Sequence, residues 1–351
     1  MNQSAGINVA AVSRWLEASI GGVRAPFRFE PIAGGRSNLT YTVTDATGRR
    51  MVLRRPPVSH VLSTAHDMGR EHRIISALRP TAVPVPDALA FCADETVNER
   101  PFYVMEFVDG YVLRDAAQAE AVLDAVTRRR AGLDLVDVLA ALHEVDIDAV
   151  GLAGLARHED YVARQLRRWH GQFERSQQQE REAGVYRPVP LVSEVHALLA
   201  ERIPPQLGTA VAHGDYRMDN TVISADGQVR AVLDWELCTL GDALADVGTM
   251  IAYWGTPGQP PLAGTGREAA TALPGFPSAA EVADRYARRS GRDLAGIGYY
   301  VAFALWKLAC ISEGVYVRYA ADAMGSGTVD IEAFRSASAD RAQRALEALR
   351  T

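Results

Sequence analysis

The feature that most constrains the fold is a strand–turn–strand pattern that ends at an acidic residue. Two strand-like runs flank Asp226-Gly227, which is a strong signal for a two-residue hairpin turn. This turn places Asn220 beside Leu233, and Leu233 directly precedes Asp234 in the sequence. Residues that face each other in such a ladder lie about 5 Å apart. The pattern therefore predicts a hairpin whose open end carries both an amide oxygen and a carboxylate.

Asn220 and Asp234 are candidate ligands for Mg²⁺, which is usually held by one or two carboxylates together with phosphate oxygens and water. An asparagine and an aspartate that only cap the strand ends are the alternative. The residues just upstream favour the metal site, because His213, Asp215 and Asn220 have the spacing H-x-D-x-x-x-x-N. That spacing is the one found in the catalytic loop of protein kinases.

In that loop the aspartate accepts the proton of the attacking hydroxyl group, and the asparagine binds metal. Phosphoryl transfer needs a positioned nucleophile and cations that neutralise the phosphates, rather than covalent help from the protein. Asp215 is therefore the candidate catalytic base. His213 is a second candidate catalytic residue, although a buried imidazole that holds the loop in shape is the more common role.

A carboxylate far upstream indicates the same cleft. In the helix predicted over residues 63–78, Glu71 shares an apolar face with Met68 and Leu78. An inward-facing carboxylate is costly unless it is paired, and the preceding strand ends in Arg54. In kinases the corresponding pair joins a strand lysine, which touches the nucleotide phosphates, to a helix glutamate. A glutamate at the edge of the face that reaches solvent is the alternative.

A glycine pair in the first predicted hairpin is a candidate phosphate contact. Gly34-Gly35 can let backbone N–H groups approach phosphates, and Ser37 and Asn38 can donate hydrogen bonds to them. The stretch lacks both GxGxxG and GxxxxGK[ST], so an ordinary hairpin turn is the alternative.

The predicted strand at 102–107 runs into Asp109-Gly110 and is a candidate hinge between two lobes. The backbone of such a strand can hydrogen-bond an adenine ring, and Glu106 and Val108 are the candidate nucleotide-binding residues. A plain core strand is the alternative. Backbone contacts leave no strict sequence mark, so ATP and GTP are both candidates.

Two acidic residues, Asp242 and Asp246, lie four apart at the start of a predicted helix. Asp242 suits an N-cap or first-turn position. We expect Asp246, one turn later, to brace the catalytic loop rather than to bind metal.

The order of predicted elements indicates an α+β, bilobal fold. Residues 1–108 are predicted as a small, nucleotide-binding N-lobe, which consists of an antiparallel β-sheet and one helix. Residues 109–351 are predicted as a larger, mainly helical C-lobe that contains the catalytic loop and the substrate-binding region. Apolar residues at steps of three and four predict its helices at 116–130, 133–144, 161–183, 191–202, 279–289, 299–319 and 331–349.

Composition excludes several classes of partner. The net charge is −6 and no basic stripe stands out, so no nucleic-acid partner is expected. The three cysteines, Cys92, Cys238 and Cys310, are far apart, which fits a reducing cytoplasm better than a disulfide framework. The first eleven residues show no secretory signal. The most apolar helix candidate, at 297–311, is interrupted by Lys307 and is too short to span a bilayer, so no membrane partner is expected.

Three stretches together resemble the aminoglycoside phosphotransferase and choline kinase family, which has the protein-kinase-like fold: His213-Gly-Asp215 with Asn220, Leu233-Asp234-Trp235-Glu236, and Gly241-Asp242 with Asp246. The resemblance extends to the glycine pair, to Glu71 and to the hinge strand, and so covers nearly the whole chain. It implies Mg²⁺-dependent transfer of the γ-phosphate of ATP or GTP to a small-molecule hydroxyl group. It also implies catalysis by Asp215, metal binding by Asn220 and Asp234, and a phosphate-side ion pair of Arg54 with Glu71.

One residue departs from the family pattern. The usual lysine is replaced by Arg54, which is bulkier and not equivalent. A catalytically weak nucleotide-binding module is therefore one alternative. The stretch at 52–57 is similar to the kinase-like domains fused to acyl-CoA dehydrogenases, which implies a hydroxyacyl-CoA or other small metabolite as acceptor rather than an aminoglycoside. Arg164, Arg167 and Arg168 are candidate basic groups for such an acceptor. A protein kinase is disfavoured because Asp234-Trp-Glu stands in place of Asp-Phe-Gly.

Overall fold

The computed structural model describes residues 6–32, 38–57, 67–262, 266–320 and 331–350. The N-terminal part is built on a five-stranded sheet of order β1-β2-β3-β5-β4 in which every neighbouring pair is antiparallel. The strands are β1 (Arg28–Pro31), β2 (Leu39–Thr44), β3 (Arg50–Arg55), β4 (Ala88–Cys92) and β5 (Phe102–Glu106). The predicted small antiparallel sheet is confirmed.

Within the described residues three helices accompany this sheet, where the sequence predicted one: α1 (Val9–Ser19), α2 (Met68–Leu78) and the single turn α3 (Glu95–Asn98). α1 was missed, although the Asn8 side chain caps it by accepting the N–H of Ala11 at 3.2 Å. α2 begins at Met68 with Asp67 as its N-cap, and the first residues of the predicted helix, 63–66, lie outside the described residues. Glu71 is buried on α2 beside Met68, as its helical position predicted.

The C-terminal part is mainly helical. Its helices are α4 (Ala116–Val122), α5 (Ala125–His143), α6 (Tyr161–Glu182), α7 (Pro190–Glu201), α8 (Leu244–Ala252), α9 (Ala279–Ser290), α10 (Ile297–Ala320) and α11 (Ile331–Ala348). The bilobal α+β fold predicted from the sequence, with a β-rich N-lobe and a helical C-lobe, is confirmed.

The break predicted between residues 130 and 133 was wrong. The chain breaks instead before Asp124, whose carboxylate accepts the N–H of Thr127 at 2.8 Å and so starts α5. Gly132 lies inside α5, where a Cβ atom would meet the Cδ atom of Pro277 at 2.5 Å. This glycine therefore serves close packing and not helix termination.

Two short strand pairs interrupt the helices and position the site. β6 (Ala210–Ala212) pairs with β9 (Thr239–Gly241), and β7 (Thr221–Ile223) pairs with β8 (Val229–Val232). The predicted alignment is confirmed at the open end of the β7–β8 hairpin, where the N–H of Leu233 donates to the carbonyl of Asn220 at 2.8 Å.

The predicted alignment was wrong at the turn itself. A two-residue turn would pair Ala225 with Gln228, but a register shift follows Val222. As a result, the N–H of Ser224 donates to the carbonyl of Gln228 at 2.9 Å. The bulge moves only the turn, so the end that carries the candidate site keeps its alignment.

α10 is the central helix of the C-lobe and packs against α6, α8 and α11. The expectation that the helix at 297–311 is too short to span a bilayer was wrong, because α10 continues past residue 311. In the described part of the chain one helix, over residues 297–318, is long and apolar enough to cross a membrane, and 83% of its most apolar window is buried inside the protein. Its apolar surface is therefore largely accounted for by packing within the C-lobe.

A buried polar cluster joins α6 to α10 and α11. Glu180 and Glu313 are fully buried, and the amide nitrogen of Gln177 lies 3.2 Å from one carboxyl group and 2.6 Å from the other. Arg187 lies 3.4 Å from Glu313, and Ser338 donates to Glu313 at 2.6 Å. Burial, together with the neighbouring Glu313 carboxyl group, raises the pKa of Glu180 to about 7.

This cluster makes stability depend on pH. An acid whose pKa is higher in the folded state is stabilised by folding in its protonated form. The contribution is therefore complete below the ordinary value of 4.5 and is lost as the pH rises through about 7. We expect the free energy of unfolding to fall over this range in urea titrations and Glu180→Gln to reduce the slope. Glu182→Gln, at an exposed position of the same helix, should leave the slope of the free energy of unfolding against pH unchanged. An equal slope in both variants would contradict the assignment to Glu180.

Candidate active site

One buried carboxylate binds the backbone at the start of the loop of residues 213–220, which connects β6 to β7. Asp246, in the first turn of α8, accepts the N–H of His213 at 2.6 Å and that of Gly214 at 2.8 Å. Burial raises the pKa of Asp246, but the hydrogen bonds from His143 and from the loop outweigh burial, so the net pKa is lowered. The carboxylate therefore stays charged while it binds the loop. The predicted bracing role of Asp246 is confirmed.

Gly214 allows the sharp turn that precedes Asp215. Its φ is +84°, and a Cβ atom there would lie 2.7 Å from the carbonyl oxygen of Leu237. Side chains other than hydrogen are therefore excluded both by conformation and by space.

His213 is fully buried and connects the loop to the end of the hairpin. Its Nε2 lies 2.9 Å from the carbonyl of Leu233, and its Nδ1 accepts the N–H of Asp215 at 3.2 Å. Both ring nitrogens are engaged with the backbone. This arrangement supports the scaffold interpretation of His213, and a direct catalytic role stays a prediction.

Asp215 and Asn220 lie side by side at the end of the loop. The side-chain nitrogen of Asn220 lies 2.8 Å from the backbone carbonyl of Asp215 and 2.9 Å from its carboxylate. Because that nitrogen is engaged, the amide oxygen of Asn220 is the atom that can bind a metal ion. The predicted proximity of these two residues is present.

Arg217 also contacts Asp215, and the sequence reasoning missed it. Its Nε lies 3.2 Å from the Asp215 carboxylate, and a terminal nitrogen lies 2.8 Å from that of Asp219. The guanidinium lies 4.6 Å from the centre of the Tyr253 ring. Burial lowers the pKa of Arg217, but its two carboxylate partners outweigh this effect, so the cation is retained. The only sequence signal was its position two residues after Asp215.

Arg54 joins the N-lobe to the end of the hairpin. Its Nε lies 3.0 Å from the carboxylate of Glu71, which is 2% exposed, so the predicted pair is present. The same guanidinium lies 2.5 Å from Asp234 and 3.5 Å from Glu236. Burial lowers the pKa of Arg54, and the charges of Asp234 and Glu71 raise it further than burial lowers it. One arginine therefore serves both the helix glutamate and the candidate metal ligand.

Asn38 completes this network and is buried. Its side-chain nitrogen lies 3.0 Å from Glu236 and 3.4 Å from Glu71. The other three residues of the glycine-rich stretch, Gly34, Gly35 and Ser37, lie outside the described residues, so their predicted contact with phosphates stays a prediction. Glu236 belongs to the stretch Leu233-Asp234-Trp235-Glu236 but was not predicted as a site residue. Its position two residues after Asp234 was the available sequence signal.

The hinge candidates lie at the end of β5, where Glu106 is its last residue and Val108 follows it. The N–H of Glu106 donates to the carbonyl of Asp87 at 2.8 Å, and Val108 lies half-buried two residues later. A Cβ atom on Gly110 would meet the carbonyl of Ile223 at 2.7 Å, which shows how closely the connection passes the β7–β8 hairpin. Nucleotide contacts at Glu106 and Val108, and a boundary at residues 108 and 109, stay predictions.

The donor set at the hairpin end suits a hard cation. It consists of the amide oxygen of Asn220 and the carboxylate of Asp234, whose backbone lies in the left-handed region with φ +64°. In the described ranges no group of three or more His, Cys, Asp and Glu is arranged to hold a metal ion. Mg²⁺ sites that share the cation with phosphates need only one or two protein carboxylates, so this pair fits such a site.

The Arg54–Glu71 pair makes a stability prediction. Arg54→Met leaves the buried Glu71 without its cation, and breaking a buried pair from one side costs about 3–5 kcal/mol. The double variant Arg54→Met, Glu71→Gln should recover most of this loss, because the uncompensated charge is then removed. Urea unfolding of both variants and of the wild type measures the difference. A single variant as stable as the wild type would show that Glu71 does not depend on Arg54.

The chain matches known proteins over most of its length. A family model described as the phosphotransferase enzyme family matches residues 28–282. Among curated proteins, acyl-CoA dehydrogenase family member 10 of Mus musculus is 33% identical over 287 residues, which cover 81% of this chain and 26% of that protein. The chain thus spans about a quarter of the length of this curated relative.

Two solved structures have the same fold. A Ralstonia eutropha JMP134 protein classed as an aminoglycoside phosphotransferase is 30% identical, with a TM-score of 0.77 over 97% of this chain and 98% of the other. The choline kinase of Cryptosporidium parvum Iowa II is 13% identical, with a TM-score of 0.65 over 97% and 95% of the two chains. The predicted family resemblance is confirmed. The chain belongs to the phosphotransferase enzyme family and has its kinase-like fold.

Proposed function

We propose that this protein transfers the γ-phosphate of ATP or GTP to a hydroxyl group of a small molecule, with Mg²⁺ as cofactor. The observation that carries the proposal is the contact of Asn220 with Asp215, together with the hydrogen bond between Asn220 and Leu233, the residue before Asp234. Membership of the phosphotransferase enzyme family supports it.

Each residue of the site has a distinct task in this reaction. Asn220 and Asp234 would hold Mg²⁺, which supplies the positive charge that neutralises the phosphate oxygens when it is bound. Asp215 accepts the proton of the acceptor hydroxyl group while the side-chain nitrogen of Asn220, at 2.9 Å, fixes the orientation of its carboxylate. Arg217 lies against the same carboxylate and adds a cation next to the point of transfer.

Arg54 suits this reaction despite replacing lysine. A guanidinium presents five donors in a fixed fork, whereas an ammonium is a single point charge. Arg54 lies 3.0 Å from Glu71 at Nε and 2.5 Å from Asp234 at a terminal nitrogen, so the two carboxylates contact different nitrogens of the fork. One arginine can therefore keep its contact with Glu71 while another of its nitrogens lies where the phosphates are proposed to bind. This argues against the alternative of a catalytically weak module.

The acceptor is proposed to carry negative charge, as a hydroxyacyl-CoA does. A polycationic aminoglycoside requires a cleft lined with carboxylates, whereas the Asp215 carboxylate is already paired with Arg217. On α6, Arg168 lies over the Trp169 ring at 5.0 Å, and its pKa is lowered by burial and by the nearby Arg70 on α2. Arg164 donates to the carbonyl of Arg157, and Arg167 and Arg168 are both exposed; its closeness to Arg70 of α2 makes Arg168 the best of the three. The curated relative named above is called an acyl-CoA dehydrogenase family member, which agrees with such an acceptor.

We also propose a cytoplasmic location and a small-molecule partner rather than a nucleic acid or a membrane. Cys92, Cys238 and Cys310 are buried free thiols, which suits a reducing compartment. The acidic net charge of −6 supports the absence of a nucleic-acid partner.

Replacing the catalytic base tests the reaction. Asp215→Asn should lower the rate of γ-phosphate transfer by about 10²–10⁴-fold, the usual contribution of a general base. Nucleotide affinity should change little, because Asp215 faces the acceptor. Release of phosphate from ATP and from GTP with Mg²⁺, together with calorimetric binding, measures the two effects. Asp226→Asn, at the exposed hairpin turn, is the matched control. Nucleotide binding without transfer by the wild type would favour the weak-module alternative.

A screen of acceptors tests the substrate class. Among hydroxyacyl-CoAs, aminoglycosides, choline-like alcohols and sugars, we expect the highest kcat/KM with a hydroxyacyl-CoA. Arg168→Gln should then raise KM for that acceptor by about tenfold, which corresponds to 1.4 kcal/mol of lost binding. Arg167→Gln, at the exposed neighbouring position, should not change KM. Preferred turnover of an aminoglycoside would overturn this assignment of the acceptor.

A further inference from the structure

Lys307 is a single charged residue in the apolar middle of α10, and the proposed reaction gives it no role. Its side chain is buried, with 7% of the residue exposed. The ammonium donates to the carbonyl oxygen of Gly214 at 2.5 Å and lies 5.6 Å from the centre of the Trp169 ring. In the described part of the chain no carboxylate forms an ion pair with it. The central helix of the C-lobe thus directs a buried cation at the peptide bond just before Asp215.

A buried ammonium of this kind is costly for the fold. Removing a charge from water disfavours folding unless it is paired, and an apolar residue of similar volume is often neutral or stabilising in its place. Burial accordingly lowers the pKa of Lys307, while the charges of Asp215 and Asp246 oppose this effect. Packing alone therefore does not explain a lysine at this position.

With the Gly214 carbonyl bound by Lys307, three consecutive backbone polar groups of the turn each have a partner. The N–H of Gly214 donates to Asp246 at 2.8 Å, and the N–H of Asp215 donates to His213 at 3.2 Å. The carbonyl between these two N–H groups is the group that Lys307 binds. Because Gly214 has no side chain and a φ of +84°, the peptide bond that follows it has no steric restraint of its own. A charge-assisted hydrogen bond is stronger than a neutral one and fixes that peptide bond.

We propose that Lys307 is a positioning residue for phosphoryl transfer, which holds the peptide bond between Gly214 and Asp215 so that the Asp215 carboxylate faces the acceptor hydroxyl group. The inference rests on the proposed function, because it assigns Lys307 a part in the same reaction. Lys307 touches neither nucleotide nor acceptor in this role. It acts through the backbone of the catalytic loop.

Three variants separate this role from a purely structural one. Lys307→Met keeps the volume and removes the donor, whereas Lys307→Gln keeps an N–H donor without the charge. Glu313→Gln is the matched control, since it alters an equally buried charge on α10 that contacts Gln177 and Ser338 rather than the loop. Transfer of phosphate from ATP to water and to the best acceptor of the screen gives kcat and KM, and thermal unfolding gives Tm.

We expect Lys307→Met to lower kcat by about 10²-fold, the loss that a shift of about 1 Å in a catalytic group can produce. KM for ATP should stay within about twofold and Tm should be equal to or above that of the wild type, because a buried charge is removed. Lys307→Gln should recover most of kcat, and Glu313→Gln should leave kcat unchanged. A Lys307→Met protein with a lower Tm and an unchanged kcat would overturn the proposal, as would a Lys307→Gln protein as slow as Lys307→Met.

Amide hydrogen exchange supplies a readout that does not need activity. Exchange in residues 211–220 should become faster in Lys307→Met than in the wild type and in Glu313→Gln, because the loop loses one of its anchors. Unchanged exchange in that segment would overturn the positioning role whatever the kinetics show. If the wild type transfers phosphate to no acceptor but the exchange difference is present, the proposed function fails while the assignment of Lys307 as the anchor of the loop stands.

Discussion

The geometry of the site depends on one buried carboxylate, that of Asp246. It accepts two consecutive backbone N–H groups of the catalytic loop and is 1% exposed. The oxygen that accepts the His213 N–H also contacts His143, whose second ring nitrogen contacts the hydroxyl group of Tyr286. α5, α8 and α9 are thereby joined to the loop through side chains that are all buried. Such a network is stable only when every member is satisfied, and for that reason it specifies one loop conformation.

A second network connects the two lobes, and it is made of charges rather than of apolar contacts. Arg54 on β3 contacts Glu71 on α2 and Asp234 at the end of the β7–β8 hairpin. Asn38, just before β2, contacts Glu236, which lies two residues after Asp234. The residues proposed to hold the phosphates and the metal ion are thus the same ones that join the lobes. Under the proposed function, binding of nucleotide would therefore be coupled to the relative position of the lobes.

The parts of the site that the sequence predicted are those governed by local geometry. The hairpin aligned Asn220 with Leu233 as predicted, because the register shift after Val222 displaces only the residues next to the turn. Glu71 was placed correctly because helical periodicity fixes its face, and burial then requires a cation. Arg217, Glu236 and Lys307 were missed as members of the site. The partners of Glu236 and Lys307 lie in other elements, and the pairing of Arg217 with Asp215 depends on the path of the loop, so the sequence carries no pattern for these roles. In the sequence Lys307 stands out only as a charge in an apolar helix.

The sequence by itself determined the family, the bilobal fold, the closeness of Asp215 to Asn220 and the alignment of Asn220 with Leu233. These follow from short spacings and from the periods of strands and helices, which act over a few residues. The tertiary structure decided that Arg54 contacts Asp234 as well as Glu71, that Arg217 pairs with Asp215, and that Lys307 lies behind Gly214. Each of these contacts joins side chains whose partners are set by the packing of whole elements or by the path of the loop, and rotamers and burial are defined only once that packing exists.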